Sequence, residues 1–244
     1  MTQQFYVSPE QVMKDRADFA RKGIARGRSV VVLSFRDGIA LIAENPSPSL
    51  RKIGEIYDKI AFAAVGKYNE FESLRQAGVR YADVRGYSYD RQDVTARGLA
   101  SVYAQSLGAV FTAEQKPFEV ELVVAEVGRE QSQDHLYRLT FDGSIADEQG
   151  FIAMGGQVES VRQAVSQGWA AGLSLDDAVR LAVHALPAGG EATVDLPAAK
   201  LEVALLDRDS EARRGAIRAF RRLNDGEVEA LLATPTDHDA PRQD

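Results

Sequence analysis

Near the start of the chain, hydrophobic positions recur first at helical spacing and then almost without interruption. Ser8-Pro9-Glu10-Gln11 has the form of a helix start: Ser8 can accept the N3 amide, Gln11 can reach back, and Pro9 suits the first helical position, which needs no donor. Val12, Met13, Ala17, Ala20 and Ile24 then share one face, with Lys14, Asp15, Arg16, Asp18, Arg21 and Lys22 on the other. Gly27 offers a left-handed stop, so the pattern predicts a helix over 9–26. Ser29 to Phe35 is a β-branched, apolar run, and Asp37-Gly38 reads as a two-residue hairpin turn into a strand from Ile39 to Ala43.

The loop Asn45 to Ser49 leads to a second strand pair, Lys52 to Ile56 and Lys59 to Val65, making four antiparallel strands in succession. From Lys67 the period becomes helical. Tyr68, Phe71, Leu74, Gly78 and Tyr81 line one face of a helix ending before Gly86, and Asp93 is placed to cap another whose inward stripe is Leu99, Val102, Tyr103, Ser106, Leu107 and Val110. Alternation returns at Phe118 to Val124 and again at Leu136 to Phe141, where Asp142-Gly143 marks a turn. Phe151 to Met154 is a short strand, Gly155-Gly156 opens a helix through Val158, Val161 and Val165, and Ser174 caps one through Ala178, Ala182 and Leu186. The Ala- and Gly-rich stretch from Pro187 to Pro197 is a surface connection. Lys200 to Leu206 and Ala216 to Phe220 predict a closing hairpin, and a last helix begins at Asn224, with Glu227 at N3, and runs to about Ala233.

Sheets that need helices over one face and a second sheet over the other imply a four-layer α/β/β/α sandwich, an α+β fold; periodicity leaves a pair of α+β subdomains as the alternative. The tail 234–244 lacks apolar anchors and is expected to be disordered.

Composition narrows the function classes. The 244 residues are 45% hydrophobic and carry a net charge of −7, which disfavours a general nucleic-acid or membrane-surface binder. The basic cluster Arg21, Lys22, Arg26 and Arg28 is a solvated face or a contact for an acidic partner. Without cysteine there is no disulfide and no thiolate chemistry, and no apolar run approaches the length of a membrane span, so a cytoplasmic protein is expected. His135, His184 and His238 are spaced too far apart for a metal site, and Gly155-Gly156 lacks the Lys-Ser/Thr of a phosphate loop. Ser34, Ser101 and Ser106 have no nucleophile elbow around them, and Asp142 to Asp147 reads as a reverse turn rather than an ion loop. No metal, cofactor or catalytic residue is expected.

Several segments nevertheless match a known family in order. Ser8 to Gln11, Ala20 to Arg26, Ala43-Glu44-Asn45-Pro46, Gly66-Lys67-Tyr68-Asn69-Glu70-Phe71, Arg85 to Arg91, Val102 to Gln105 and Tyr137 to Asp147 resemble the α subunits of the actinobacterial 20S proteasome. The likeness runs over about residues 5–233. It implies the sandwich of the N-terminal-nucleophile hydrolases, formed by residues 9–233 behind a gate segment, 1–8.

In that family the β subunits are the peptidases, attacking with a threonine freed at the head of the first strand, whose α-amine serves as base. Aligned on the acidic residue after the second strand, Glu44, the nucleophile's place here falls at about Arg28. The resemblance therefore implies a noncatalytic subunit. Ser29 would be a nucleophile only after removal of the helix before it. Lys59 resembles the lysine that active subunits keep beside their threonine.

The resemblance further implies a heptameric outer ring of seven copies, stacked on β subunits, in which the first helix touches the neighbouring copy. Thr2, Gln3, Gln4, Phe5, Tyr6, Val7 and Ser8 would be the gate through which unfolded substrates pass, although the Tyr-Asp-Arg motif of archaeal and eukaryotic gates is absent. Ring-shaped ATPase activators would insert C-terminal tails into pockets between copies. Lys52 and Lys59 are the candidates to meet the tail carboxylate there, Lys59 being the better match to the family motif, with Pro9 and Gly66 on the rim. A processed hydrolase and a free-standing α+β binding protein are the competing readings.

Overall fold

The computed structural model describes residues 8–156, 158–189, 196–209 and 218–233. The gate residues Thr2 to Val7, the tail 234–244 and His238 lie outside them, as does the start of the expected closing strand at Ala216.

Helix α1 (Pro9–Ile24) begins where the motif predicts, with Ser8 Oγ accepting from the Gln11 amide at 3.2 Å. It ends two residues earlier than expected. The Arg26 and Gly27 amides turn back on Gly23 and Ile24 three residues before them, a tightened final turn, and Gly27 does not adopt a left-handed conformation. Of the predicted apolar face, only Ala20 and Ile24 are buried, with Ala17 packed partly beside them; Met13 is exposed. The C-terminal half of α1 plugs the end of the sandwich, and its N-terminal half runs beyond it.

Strands β1 (Val30–Phe35) and β2 (Gly38–Glu44) form the first hairpin. Phe35 pairs with Gly38, so the two turn residues are Arg36 and Asp37 rather than Asp37 and Gly38. Gly38 serves close packing instead, because a methyl there would overlap the Leu206 carbonyl. Strands β3 (Ile53–Tyr57) and β4 (Ile60–Gly66) make the second hairpin. The two hairpins do not join into one four-stranded sheet: β1 and β2 belong to one sheet and β3 and β4 to the other, with residues 45–52 crossing between them. Each hairpin is apolar on both faces, so each becomes the middle or edge of a sheet covered twice.

Helix α2 (Tyr68–Ser88) passes through Gly86 rather than stopping before it; the glycine makes room for the Tyr57 ring. Helix α3 (Ala96–Ala113) is capped by Thr95, not Asp93. Thr95 Oγ1 accepts from Gly98 N at 3.2 Å, whereas Asp93 closes a short 3₁₀ turn that Asp90 caps. Leu99, Tyr103 and Leu107 face inward as predicted, but Ser106 is exposed and Ala96 and Ala100 complete the stripe.

Then follow β5 (Val120–Glu126), β6 (His135–Leu139), β7 (Ile145–Glu148), β8 (Phe151–Met154), α4 (Val158–Gly168), α5 (Leu175–Ala185), β9 (Leu201–Asp207), β10 (Phe220–Arg222) and α6 (Asp225–Ala233). Strand β7, mostly exposed, has no apolar alternation to announce it. Strand β10 lies later than the Ala216 to Phe220 expectation. The α6 cap is reciprocal: Asn224 Oδ1 accepts from Glu227 N at 3.0 Å and Glu227 Oε2 from Asn224 N at 2.8 Å.

All observed strand pairs are antiparallel, in two five-stranded sheets ordered β10-β9-β2-β1-β8 and β3-β4-β5-β6-β7. Period-two alternation sorts their side chains into three cores. Val30, Val32, Ile39, Leu41, Ala204 and Leu206 meet Ala61, Ala63, Val65, Val123 and Ala125 between the sheets. Val31, Leu33, Ala40, Ile42, Val203 and Leu205 turn the other way, toward α4, α5 and α6. Phe62, Ala64, Leu122 and Val124 turn outward toward α2 and α3. The layers are therefore helices, sheet, sheet, helices, the α/β/β/α sandwich expected from the element order.

Candidate functional site

The head of β1, where an active relative would carry its nucleophile, is closed from three sides. The chain enters β1 directly from α1 through Ala25, Arg26 and Gly27, and the turn after β8 presses on that entry: Gly156 N donates to Gly27 O at 3.2 Å. Gly155 has φ +121°, and a Cβ on it would stand 2.8 Å from the Ser29 Cα, so only glycine lets this turn come so close. Ser29 itself is buried, and its carbonyl accepts from the Glu44 amide at 3.2 Å. Arg28, the residue at the expected nucleophile place, pairs its guanidinium with the Glu44 carboxylate.

A lysine completes the cluster, and it is Lys52. Its ammonium donates to the carbonyls of Arg28 at 2.9 Å and Glu44 at 3.1 Å. Burial outweighs the pull of Glu44 and Glu202 and pushes this amine down to about 8, with Arg28 adding to the effect. Lys59, which the sequence likeness favoured for the place beside the nucleophile, is not there. It sits in the β3–β4 turn, at the far end of a five-residue strand from Lys52, about 17 Å away at strand spacing. Its surroundings are a separate cleft lined by Tyr57, Asp58, Asp90, Arg91, Glu126 and Arg129, where Arg91 pairs with Asp58 and lies 4.8 Å above the Tyr57 ring.

Gly66 ends β4 at the same end of the molecule as Lys52, since the Ala64 amide donates to the Lys52 carbonyl at 3.0 Å. It also approaches the α1 C-terminus: a Cβ on Gly27 would stand 3.2 Å from the Gly66 amide nitrogen. Pro9 stands at the other end of α1, a helix length of about 24 Å from this cluster. Ser8 is engaged as the helix cap. Thus within one chain Lys52 and Gly66 lie at the same end of the sheet, with Pro9 and Lys59 apart from them.

Beneath Lys52 lies a group that sequence reading missed. Glu202 on β9 is 2% exposed. Its carboxylate accepts from Asn45 Nδ2 at 2.7 Å, Lys52 N at 2.9 Å and Ile53 N at 3.3 Å, and it pairs with Arg222, which also donates to the Ile53 carbonyl at 2.8 Å. The hub ties β2, β3, β9 and β10 across both sheets at the point where the chain crosses between them. Its signal was present: Glu202, Ala204 and Leu206 alternate onto the inter-sheet face, an acidic residue where an apolar one is the rule.

A second buried cluster closes the opposite end of β1. Asp134 accepts from Ser34 Oγ at 2.6 Å, from the Gly128 amide at 2.9 Å and from Arg208 at 2.8 and 3.0 Å. Ser34 is thereby committed to structure. Ser101 and Ser106 donate back to helix carbonyls on α3, at Arg97 and Val102. His135 heads β6, stacked on Tyr137, and His184 lies on α5 in another layer. Asp142 accepts from the Ser144 amide at 3.0 Å, closing the turn between β6 and β7.

Comparison with known proteins agrees with the element order. A family model described as "Proteasome subunit" matches residues 24–203. The protein named "Proteasome subunit alpha" in Renibacterium salmoninarum is 82% identical over 233 residues, covering 96% of each chain. One of the same name in Pseudarthrobacter chlorophenolicus is 77% identical, over 96% of this chain and 100% of its own. Another in Kineococcus radiotolerans is 61% identical, over 96% and 99%. No helix among the described residues is long and apolar enough to cross a membrane.

Proposed function

This chain belongs to the proteasome subunit family, and from that membership together with the occupied head of β1 we propose that it is a noncatalytic α-type subunit of a 20S core particle. The observation that carries the proposal is Arg28 where a threonine would act. No hydroxyl or thiol stands at that position, the Arg28–Glu44 pair fills it, and the chain continues from it into α1 instead of ending in a free amine.

Seven copies form a heptameric ring at each end of a stack whose inner β subunits carry the threonine-type endopeptidase activity. Residues Thr2 to Ser8 of the copies converge as a gate on unfolded protein entering the chamber, in ATP-dependent degradation in the cytoplasm. Short segments suffice, because the ring multiplies each contact sevenfold. The exposed face of α1, with Met13 in its first half and Phe19 in its second uncovered, is the surface offered to a neighbouring copy.

Tails of a ring-shaped ATPase activator dock between copies, with Lys52 as the cation for the terminal carboxylate and Gly66 at the same end of the sheet. Pro9 reaches the pocket only if a neighbouring copy supplies it. Lys59, at the far end of the hairpin, is assigned no part in it.

The test is coexpression with the β partner. Electron microscopy should show stacked seven-membered rings, and intact mass should show the helix-bearing N-terminus retained. Deleting residues 2–7 should speed peptide hydrolysis by the assembled particle. An unchanged rate removes the gate, a strict monomer returns the free-standing binding protein, and cleavage before Ser29 returns the processed hydrolase.

A further inference from the structure

We propose that tail docking at Lys52 is proton-coupled, the ammonium taking up its proton as a chain-terminal carboxylate arrives. The inference rests on the docking role given to Lys52 above and adds its regulation. An ammonium has three donor directions, and two of Lys52's are spent on the Arg28 and Glu44 carbonyls, leaving one for a ligand.

The charged groups around it are already matched to one another. Glu44 of β2 pairs with Arg28 at the entry to β1, and Glu202 of β9 pairs with Arg222 of β10 while also holding the backbone amide of Lys52. Among the described residues no carboxylate stands in ion-pair contact with the Lys52 ammonium, whose hydrogen bonds go to the two backbone carbonyls. The partly buried amine thus lies beside pairs already matched to one another, and its desolvation favours the neutral form, in keeping with a value of about 8. A docking carboxylate supplies the missing counter-charge and restores the charged form. By linkage, docking near pH 8 takes up about half a proton per tail, and affinity falls toward tenfold per unit as pH rises further.

The experiment uses the assembled particle and a synthetic peptide ending in a free α-carboxylate, with its C-terminal amide as control. Titration calorimetry at pH 8 in buffers of different ionisation enthalpy measures proton uptake, and fluorescence anisotropy follows affinity from pH 6.5 to 9.5. Uptake near half a proton, vanishing at pH 6.5, and a Lys52→Arg particle whose affinity no longer changes with pH are expected. Wild-type binding without proton uptake, still lost in Lys52→Ala, overturns the coupling and leaves the docking site standing. Equal binding by wild type and Lys52→Ala, or by acid and amide peptides, overturns both.

Discussion

Replacing Glu202 by alanine is the sharpest test of how this fold is held together. The substitution removes the acceptor of three N–H groups, on Asn45, Lys52 and Ile53, and strands the Arg222 guanidinium beside them in a site where the carboxylate is 1% exposed. Three donors left without their acceptor cost about 1–3 kcal/mol each, and Arg222, 29% exposed, keeps part of its hydration, so the loss comes to about 3–5 kcal/mol. For a chain of this size that is a fall in Tm of roughly 6–20 °C.

Removing both charges should cost less. In Glu202→Met/Arg222→Met the charge pair is gone, apolar volume replaces it, and the Asn45 side-chain amide and the two backbone amides remain short of an acceptor, so the double variant should recover part of the loss. The assay is urea denaturation of wild type, both single variants and the double variant, followed by tryptophan fluorescence from Trp169 and by circular dichroism. A Glu202→Ala cost below about 1 kcal/mol, or a double variant no more stable than Glu202→Ala, would refute the hub as the fastening between the two sheets.

Two further predictions concern packing and charge. Gly78 and Gly108 are both helical glycines, but a methyl at Gly78 would overlap the Tyr103 hydroxyl, whose hydrogen bond to the Leu74 carbonyl is 2.9 Å, while at Gly108 the nearest atom is 3.5 Å away; Gly108→Ala should raise stability by roughly 0.5–1 kcal/mol and Gly78→Ala should lower it, and thermal melts of the pair check the opposite signs. Lys52 is held below its unfolded value of 10.5 at about 8, so the unfolded chain binds the extra proton between those values and folding stability should rise with pH across pH 8 to 10.5, by no more than about 3 kcal/mol; the difference between wild type and Lys52→Met in denaturation midpoint should carry that slope, and a pH-independent difference would refute it.

Much of the fold was legible because its signals are local. Ser8 and Ser174 cap their helices through the amide three residues on, Asn224 and Glu227 cap one another, and the nearly unbroken apolar runs of β1, β2, β4 and β9 suit strands covered on both faces. Misreadings arose where tertiary packing used the same residues differently. Gly38, Gly86 and Gly27, read as turn and stop signals, are places where another segment comes close, and the packing partner lies far along the chain.

By itself the sequence determined that the chain alternates between paired strands and paired helices, that a capped helix precedes its first strand, and that no hydroxyl or thiol stands at Arg28. These are properties of neighbouring residues, and neighbours express them through hydrogen-bond period and side-chain chemistry wherever the chain goes. Only the tertiary structure decided that the first two hairpins part into opposite sheets, that Lys52 rather than Lys59 reaches the head of β1, and that Glu202 fastens the crossing. Each of those depends on contacts between distant segments, as far as the 157 residues separating Asn45 from Glu202, and on which of several equivalent lysines the hairpin register carries to that end.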